Sequence, residues 1–381
     1  MRILHICSYY IGNKLYMSLI NSLSKHQFHQ EVFVPVRTIE HIGKNKIDNH
    51  VSSINYIYSN ILGKYDRYFY FNKVRKQMKV VEEKILNDPI DLIHAHTLFS
   101  DGGTAYKLNK KHGINYIVNV RNTDINYFYK YGIHLRPFMY KILINSEAIV
   151  FISHAYKDDM LSKLPQRIFK KIEDKCMVIP NGINDYWHQN NMVQESNRLK
   201  ENKIRLLFIG AINNNKNLTS VIRACSELNS HGYDVLLNVV GDGPLESYCR
   251  RVCKELNMSD SVIFHGYVSE MDVIKNIMKN SDIFIMPSFK ETFGLVYIEA
   301  MSQGLPLIYT KRQGIDGFFK EGVVGYSVEP ENIVEIVESV KLIISDYSRV
   351  TKECISKSKE FTWEKITSEY KSIYLKKSIP K

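Results

Sequence analysis

The residues best suited to chemistry lie in one short segment of the chain, PSFKETFGLVYIEAMSQGLPLIYT, at 287–310. An apolar run ends at its first residue, and the pattern that follows predicts a helix that begins near Gly294. The first amides of a helix have no partner within the helix and lie at the positive end of its dipole. They can therefore bind a diphosphate, and in this segment they belong to Phe293, Gly294 and Leu295.

Two glutamates flank this predicted helix start. Glu299 lies four residues after Leu295 and thus on the same helix face, where its carboxylate can accept two hydrogen bonds from a ribose diol. Glu291 lies on the other side of the expected phosphates, where it can contact the hydroxyls of a sugar. The competing interpretation is a strand, a turn and a helix with two solvated glutamates, and a bare glutamate spacing would favour it. The full context of strand, Pro-Ser, Glu, Phe-Gly, second Glu and helix favours a binding segment.

Short apolar runs along the chain predict the scaffold that would position these residues. Six runs precede Asp185 and six follow it, and most are separated by enough residues for a crossover helix. Consecutive apolar residues are typical of strands covered on both faces, and strand–helix repetition predicts parallel sheets. We therefore predict an α/β fold of two doubly wound Rossmann-like domains facing across a cleft, with ligands beyond the carboxyl ends of the strands. The first domain comprises 1–185 and the second 186–364, with the polar stretch 184–202 at their boundary. A C-terminal helix at about 365–381 is predicted to pack back on the first domain.

Composition excludes several classes of protein. The 381 residues are 44% hydrophobic and 24% charged, which is ordinary for a folded globular chain and argues against disorder. No apolar run approaches the ~18–20 residues that cross a bilayer, and the first residues lack the apolar region of a signal peptide. The six cysteines are scattered, which predicts reduced thiols rather than a zinc site. We expect a cytoplasmic protein, with the inner face of the membrane as a second location.

The net charge of +11 is concentrated in the first half of the chain. Residues 1–185 hold 26 basic and 16 acidic residues, whereas 186–381 hold 25 and 24. This asymmetry indicates an anionic partner such as acidic lipid headgroups, a phosphorylated substrate or nucleic acid, although a solvated basic surface would also explain it. The segment 61–84 interleaves aromatic and basic residues, so it could lie on an anionic membrane or form an amphipathic helix over the sheet. No nucleic-acid-binding motif is present, and we expect no nucleic-acid partner.

Together these motifs resemble those of the retaining glycosyltransferases of family 4, also called the group 1 family, which have the two-Rossmann GT-B architecture. The resemblance covers most of the chain and rests on the paired glutamates and on VIPNGIN, VVGDGP, FHGYV, IFIMPS and FTWEKI. It implies transfer of a sugar from a nucleotide diphosphate sugar, with a UDP-sugar favoured, to a hydroxyl of a glycan or lipid-linked saccharide. It also implies retention of anomeric configuration, a role in surface polysaccharide synthesis such as that of a capsule, and no metal or other cofactor. The first domain would bind the acceptor and the second the donor.

The resemblance also implies roles for individual residues. Glu291 would contact the donor sugar, and Lys216 falls on the family's phosphate-binding lysine. The family's arginine five residues earlier is replaced here by Ala211. Arg121 stands where relatives carry a histidine that touches the donor sugar, and with Glu291 and Lys216 it completes the catalytic candidates.

The remaining candidates contribute to binding. Glu299 would hold the ribose, and the helix amides the diphosphate. The other donor-binding candidates are Gly12, Gly210, Gly266 and Tyr267, of which the last two would face the nucleobase. The candidates for the acceptor or the cleft are Asn13, His96, Thr123, Asp124 and Ser153. We expect Asp124 either to orient Arg121 through a bidentate ion pair or to cap a helix, and His96 to be either a buried structural histidine or a residue of the cleft.

Absent motifs narrow the choice of function further. The chain has no Asp-x-Asp, no His-Glu-x-x-His and no P-loop, which disfavours metal-held phosphates and nucleotide hydrolysis. No Gly-x-Gly-x-x-Gly follows the first predicted strand, which argues against a dinucleotide dehydrogenase. Three alternatives remain open from the sequence: a nucleotide-sugar epimerase of the same architecture, a glycosyltransferase-like partner subunit without activity, and a nucleic-acid binder favoured only by charge.

Overall fold

The structure, a computed structural model, describes residues 1–47, 53–66, 68–189 and 202–378. Most of the predicted polar link at 184–202 therefore lies outside the described residues. The same holds for Arg67 in the basic segment and for the last three residues of the predicted C-terminal helix. All six cysteines are described, and each is a free thiol.

Contacts divide the chain into two compact units. The N-terminal unit comprises Met1–Ile152, Lys157–Gly182 and Trp363–Lys381, and the C-terminal unit comprises Ser153–Tyr156 and Ile183–Thr362. The chain thus leaves the first unit near the predicted boundary at 185 and returns to it at Trp363. The acceptor-binding and donor-binding roles assigned to the two domains remain predictions.

The N-terminal unit is built on a parallel sheet of seven strands in the order β3-β2-β1-β4-β5-β6-β7. The strands are β1 Arg2–Ile6, β2 His29–Val36, β3 Ile54–Asn60, β4 Leu92–Ala95, β5 Tyr116–Val120, β6 Ala148–Phe151 and β7 Cys176–Val178. Six of them are the predicted apolar runs, and β3 was missed. Its sequence INYIYSN mixes polar with apolar residues instead of forming a continuous apolar run, as fits an edge strand whose side chains are mostly only partly buried.

Helices cover this sheet. They are α1 Lys14–Ser24, α2 Tyr70–Lys84, α3 Gly102–His112, α4 Arg136–Asn145, α5 His154–Ser162, α6 Gln166–Ile172 and, from the end of the chain, α14 Trp363–Lys377. The amphipathic helix expected as one alternative for the segment 61–84 is present from Tyr70 to Lys84, whereas the segment's described residues before Tyr70 are not helical. Tyr70 itself is buried, but four aromatic residues around it are at least half exposed: Tyr65, Tyr68, Phe69 and Phe71.

α14 belongs to the core of the N-terminal unit. Its buried face presents Trp363, Ile366, Tyr370 and Tyr374 to a cluster that includes Ile3 of β1. The Tyr374 hydroxyl lies 2.6 Å from Nδ1 of the buried His94, whose Nε2 faces the amide oxygen of Asn119 at 3.1 Å. Since an amide oxygen can only accept, Nε2 carries the proton and Nδ1 accepts from Tyr374.

The C-terminal unit has a second parallel sheet of six strands in the order β10-β9-β8-β11-β12-β13. Its strands are β8 Lys203–Ile209, β9 Asp234–Val240, β10 Val262–Gly266, β11 Ile283–Ile285, β12 Leu307–Thr310 and β13 Gly325–Val328, which are the six predicted runs. Its helices are α7 Asp185–Gln189, α8 Leu218–Ser230, α9 Glu246–Glu255, α10 Met271–Lys279, α11 Leu295–Ser302, α12 Ile333–Ser345 and α13 Tyr347–Ser358. Among the described residues of either unit, no helix is long and apolar enough to span a membrane.

Replacing Tyr374 with Phe tests whether α14 is integral to the N-terminal unit. The change leaves the buried Nδ1 of His94 without its donor, which costs about 1–3 kcal/mol of unfolding free energy. The chain contains two tryptophans, so a Trp187→Phe background leaves Trp363 as the fluorescent reporter of this unit during urea unfolding. The control is Ser372→Ala on the exposed side of α14, which we expect to change stability by less than about 0.5 kcal/mol. Equal urea unfolding midpoints for Tyr374→Phe and Ser372→Ala would contradict the conclusion that α14 is integral to the N-terminal unit.

Candidate functional site

The predicted helix start at Gly294 exists, and a backbone constraint requires its glycine. Gly294 precedes the first turn of α11 with φ +79°, and a Cβ built there would lie 2.4 Å from the Tyr297 ring. A side chain at this position would thus be both strained and obstructed. Within the described residues, the amides of Phe293, Gly294 and Leu295 donate to no acceptor. The three predicted phosphate-binding donors therefore remain available at the helix dipole.

The two central catalytic candidates of the C-terminal unit are in direct contact. Lys216 Nζ lies 2.5 Å from Oε2 of Glu291, and the two side chains are only 22% and 13% exposed. The other carboxylate oxygen of Glu291 accepts from the Thr292 amide at 3.1 Å. The Glu291 backbone is held in turn, because its amide donates to the Gln313 side chain at 3.1 Å. The pair is therefore well positioned and still accessible to a ligand.

An asparagine-rich loop positions Lys216. The Asn213 side chain accepts from the Lys216 amide at 3.0 Å. Asn215 is bonded to the segment before Glu291, since its side chain accepts from the Lys290 amide at 3.0 Å and donates to the Lys290 carbonyl at 2.9 Å. These bonds tie together two loops that are far apart in sequence. Sequence reasoning missed Asn213, Asn215 and Gln313, and the run of asparagines in GAINNNKN was the only available signal.

The VVGDGP motif packs against the same loop. Gly241 and Gly243 have φ of +131° and +156°, and Cβ atoms there would lie 2.1 Å from the Gly210 carbonyl and 2.4 Å from the Ile212 carbonyl. Only glycines permit this backbone contact, which places Gly210 at the carboxyl end of the sheet. The Gly241 amide also donates to the Gly266 carbonyl at 2.7 Å. The ends of β8, β9 and β10 are thereby joined.

Gly266 and Tyr267 lie at the end of β10. Gly266 has φ +69° with open space around its Cα, and the following Tyr267 is 74% exposed. Both are accessible at the carboxyl edge of the sheet. Their contact with a nucleobase remains a prediction.

Glu299 occupies an apolar environment one turn into α11. Burial raises the pKa of its carboxyl to about 7, an effect that a hydrogen bond with the Trp187 side chain partly offsets. Trp187 of α7 is itself buried, and its carbonyl accepts from the Gln303 side chain at 3.0 Å. The sequence contained no signal for Trp187, because α7 and α11 are more than 100 residues apart.

In the N-terminal unit, the expected ion pair between Asp124 and the Arg121 guanidinium was wrong. The buried Asp124 carboxylate instead accepts three backbone amides, from Leu98 at 3.0 Å, Phe99 at 2.9 Å and Arg121 at 2.8 Å. Burial raises its pKa to about 6. Asp124 thus fixes the loops after β4 and β5 and, at 1% exposure, is unsuited to bind an acceptor.

Arg121 itself lies at the carboxyl end of β5. Its guanidinium donates to the Asn181 side chain at 3.3 Å and lies 5.7 Å from the centre of the Tyr16 ring. Its Nε is buried and has no hydrogen-bond partner among the residues that the structure describes. Arg121 therefore keeps unused donor capacity, as its predicted role requires.

His96 is a core histidine, and the interpretation that it faces a cleft was wrong. It is 1% exposed, its ring stacks on that of His94 at 4.0 Å, and its Nε2 lies 3.1 Å from Nδ1 of His5. The three ring nitrogens come within 4.8 Å of one another, which is compatible with metal ligation. However, both nitrogens of His94 are already engaged by Tyr374 and Asn119. The stacked rings are therefore best explained as a hydrogen-bonded core cluster.

Three other candidates are placed as follows. Ser153 is fully buried, which contradicts a direct ligand contact. It belongs to the C-terminal unit, and its hydroxyl donates to the Thr292 carbonyl at 2.8 Å, so it positions the residue next to Glu291. Asn13 caps α1 by accepting from the Leu15 amide at 2.9 Å. Thr123 is partly exposed at the start of the turn that contains Asp124.

Two protein-family models match the chain. Glycosyltransferase Family 4 matches residues 15–186, and Glycosyl transferases group 1 matches residues 190–361. An uncharacterised glycosyltransferase of Methanocaldococcus jannaschii is 26% identical over 75% of each chain. The N-acetyl-α-D-glucosaminyl L-malate synthase of Bacillus anthracis is 25% identical over 75% of this chain and 74% of its own.

Solved structures agree on the fold. The lipopolysaccharide outer core galactosyltransferase WaaB in its apo form superposes with a TM-score of 0.72 at 18% identity, over 99% of this chain and 100% of its own. HepE of Anabaena in complex with UDP superposes with a TM-score of 0.70 at 16% identity, over the same shares. The fold is therefore GT-B. The chain belongs to the group 1, family 4 glycosyltransferases, and it is an enzyme of the hexosyltransferase type.

The raised pKa of Glu299 predicts a pH-dependent stability effect. Its ordinary pKa is 4.5, so the folded state favours the neutral carboxyl, and ionisation destabilises the fold as pH rises from 4.5 through about 7. Glu299→Gln mimics the neutral form and should stabilise the protein by roughly 2–3 kcal/mol at pH 8 and by close to nothing near pH 4.5. Chemical unfolding at several pH values measures this.

The matched control is Glu338→Gln, which changes the same group at an exposed position of α12. We expect no comparable pH trend from it. A stability difference between Glu299→Gln and wild type that does not change with pH would show that the Glu299 carboxyl has an ordinary pKa.

Proposed function

We propose that this enzyme transfers a hexose from a UDP-sugar to a hydroxyl of a glycan or lipid-linked saccharide, with retention of anomeric configuration. The observation that carries the proposal is the contact between Lys216 and Glu291 beside the unpaired amides at Gly294. This arrangement offers a cation and helix amides to a diphosphate and a carboxylate to a sugar, all in one loop cluster. The similarity in fold to HepE, which was solved with UDP, supports the choice of base.

The charges of the site match the charges that develop in the reaction. The bond between the anomeric carbon and the diphosphate oxygen breaks, and negative charge grows on the departing UDP. Lys216 and the amides of Phe293, Gly294 and Leu295 would stabilise that charge, and no metal is required for this step. Positive charge grows on the anomeric carbon, where the Glu291 carboxylate would stabilise it and hold the sugar hydroxyls.

Retention follows if the acceptor attacks the face that the diphosphate leaves. The acceptor oxygen bonds to the anomeric carbon, and its proton passes to the departing phosphate oxygen. Lys216 can release Glu291 when the diphosphate arrives, because both side chains are partly exposed and can exchange partners. Glu291 thus binds the sugar while Lys216 binds the diphosphate, and neither residue forms a covalent intermediate.

Glu291→Gln should abolish transfer, with a loss of at least about a hundredfold in kcat, because the amide cannot stabilise positive charge. The UDP-induced rise in Tm should persist, since Lys216 and the helix amides remain. A thermal-shift panel of nucleotides identifies the base, and proton NMR of the product reports the anomeric configuration. The control Glu338→Gln should transfer at the wild-type rate.

Three results would overturn parts of this proposal. Near-normal turnover by Glu291→Gln removes its assigned role, and inversion at the anomeric carbon removes retention. Conversion of the donor without any acceptor would indicate an epimerase instead.

We further propose that the enzyme works in surface polysaccharide synthesis at the cytoplasmic face of the membrane, where its acceptor is anchored. The exposed aromatic residues Tyr65, Tyr68, Phe69 and Phe71, together with the exposed cations Lys64, Arg75 and Lys79, form a surface suited to anionic headgroups. Each well-placed cation would contribute about 1 kcal/mol near such a surface.

Vesicle co-sedimentation tests this membrane contact. Wild-type protein should sediment with vesicles containing phosphatidylglycerol at low salt and should be released at high salt. A Tyr68→Ser, Phe69→Ser variant should bind at least about fivefold more weakly, whereas Tyr248→Ser, an exposed aromatic of α9, should bind like wild type. Equal sedimentation of all variants, or binding that is insensitive to salt, would exclude this surface.

A further inference from the structure

The N-terminal unit contains a cavity of about 380 Å³ at the carboxyl end of its sheet. This volume is large enough for a small ligand such as a monosaccharide ester, since ligand pockets begin at ~300 Å³. Its walls come from the segments that follow β1 to β5 and from α2. They include Ser8, Gly12, Arg37, Tyr70, Lys73 and Phe128. A Cβ at Gly12 would meet no protein atom within 4 Å, so this wall is open to a ligand.

Lys73 of α2 is one of two cations that line the cavity, and its ammonium forms no ion pair with a carboxylate in the described residues. It makes no hydrogen bond or ion pair with any residue in the described ranges. The next lysines along the helix behave differently, because Lys76 pairs with Asp66 at 3.0 Å and Lys79 pairs with Glu83 at 3.7 Å. Burial lowers the pKa of Lys73, which indicates that its charge is poorly solvated.

The carboxylates nearest to Lys73 are already occupied. Asp66, which also lines the cavity, accepts both from the Gly63 amide at 2.7 Å and from Lys76. Asp101 is fully buried and accepts the Ser8 amide at 3.0 Å, the Ser8 hydroxyl at 2.5 Å and the Thr97 hydroxyl at 2.9 Å. Both carboxylates attract the charge of Lys73, but neither forms an ion pair with it among the described residues, so its ammonium can still contact a ligand.

Arg37 adds a second positive charge to the same cavity. It follows β2, is exposed, and has no hydrogen bond or ion pair within the parts of the chain that the structure describes. Its charge is close enough to disfavour the protonated form of Lys73, whereas the charges of Asp101 and Asp66 favour that form more strongly. Two like charges that face one cavity repel each other, and an anion between them would relieve that repulsion.

We propose that this cavity binds a phosphate group of the acceptor, so that the enzyme glycosylates a phosphorylated substrate. Lys73 and Arg37 match the two negative charges of a phosphate monoester, with Arg37 able to donate two parallel hydrogen bonds. Phe128 and the ring of Tyr70 provide an apolar wall for the rest of the acceptor, and the Tyr70 hydroxyl is held by the Phe99 carbonyl at 2.7 Å. The identity of this ligand as the acceptor rests on the proposed function, whereas the phosphate site itself does not.

The first experiment titrates inorganic phosphate into the whole protein by calorimetry, with and without saturating UDP. Wild type should bind phosphate in both conditions. Lys73→Gln and Arg37→Gln should each weaken phosphate binding at least tenfold, and Lys73→Arg should restore most of it. The control Lys84→Gln removes the same charge from an exposed position at the end of α2 and should bind like wild type.

Two outcomes would overturn the site. One is phosphate binding that Lys73→Gln leaves unchanged, and the other is phosphate binding that UDP abolishes, which would place the anion at the nucleotide site. UDP binding is measured separately on every variant and should not change. If the wild-type protein does not bind UDP, the proposed function is contradicted. The phosphate site is still judged separately, by the phosphate titration.

The second experiment identifies the source of the phosphate through donor turnover. The acceptors are hexose phosphate, the matched free hexose, and vesicles that contain a polyprenyl-phosphate saccharide. The KM for the phosphorylated acceptor should rise at least tenfold in Lys73→Gln with a smaller change in kcat, and Lys73→Arg should reverse the rise. Preference for the hexose phosphate indicates a free metabolite, and preference for the vesicles indicates a lipid carrier. Equal use of the free hexose by wild type and Lys73→Gln, with no preference for either phosphorylated acceptor, would refute an acceptor phosphate.

Discussion

The contact between Lys216 and Glu291 is the interaction on which the site in the C-terminal unit depends. The two residues are 75 positions apart, and each would be costly to bury alone because a charge loses its hydration when it leaves water. Their loops are brought together by neutral hydrogen bonds, chiefly those between the Asn215 side chain and the Lys290 backbone. The ion pair is therefore positioned by the protein rather than responsible for its stability. It can separate when a ligand supplies a phosphate to the lysine and hydroxyls to the glutamate.

Within the N-terminal unit, acidic and basic side chains have opposite roles. Asp101 and Asp124 are buried among backbone amides and hydroxyls, which use their acceptor capacity and make both carboxylates structural. Lys73 and Arg37 form no hydrogen bond or ion pair in the described chain, so their donors remain available, whereas the acceptors of the two carboxylates are already occupied. This difference explains how the basic excess of 1–185 can create a binding surface and not only a solvated one.

Much of the architecture could be predicted, because a strand covered on both faces has a continuous apolar sequence. All six strands of the C-terminal unit were found this way, whereas β3 was missed because, as a partly buried edge strand, it has no continuous apolar run. The segment from Glu291 to Glu299 was readable for a similar reason: its glycine, helix start and second glutamate are neighbours in sequence. Asn215, Gln313 and Trp187 could not be found, because their contacts with that segment join distant parts of the chain.

The sequence by itself determined where a helix must begin with free amides, since Gly294 and the apolar pattern around it are local properties of the chain. It also determined the family, through motifs that are each contiguous. Only the tertiary structure decided that Asp124 accepts backbone amides instead of pairing with the Arg121 guanidinium, that His96 and Ser153 are buried, and that Glu299 has a raised pKa. The physical reason is that hydration and the choice of hydrogen-bond partner depend on atoms from other elements, which become neighbours only after the sheets and helices have packed.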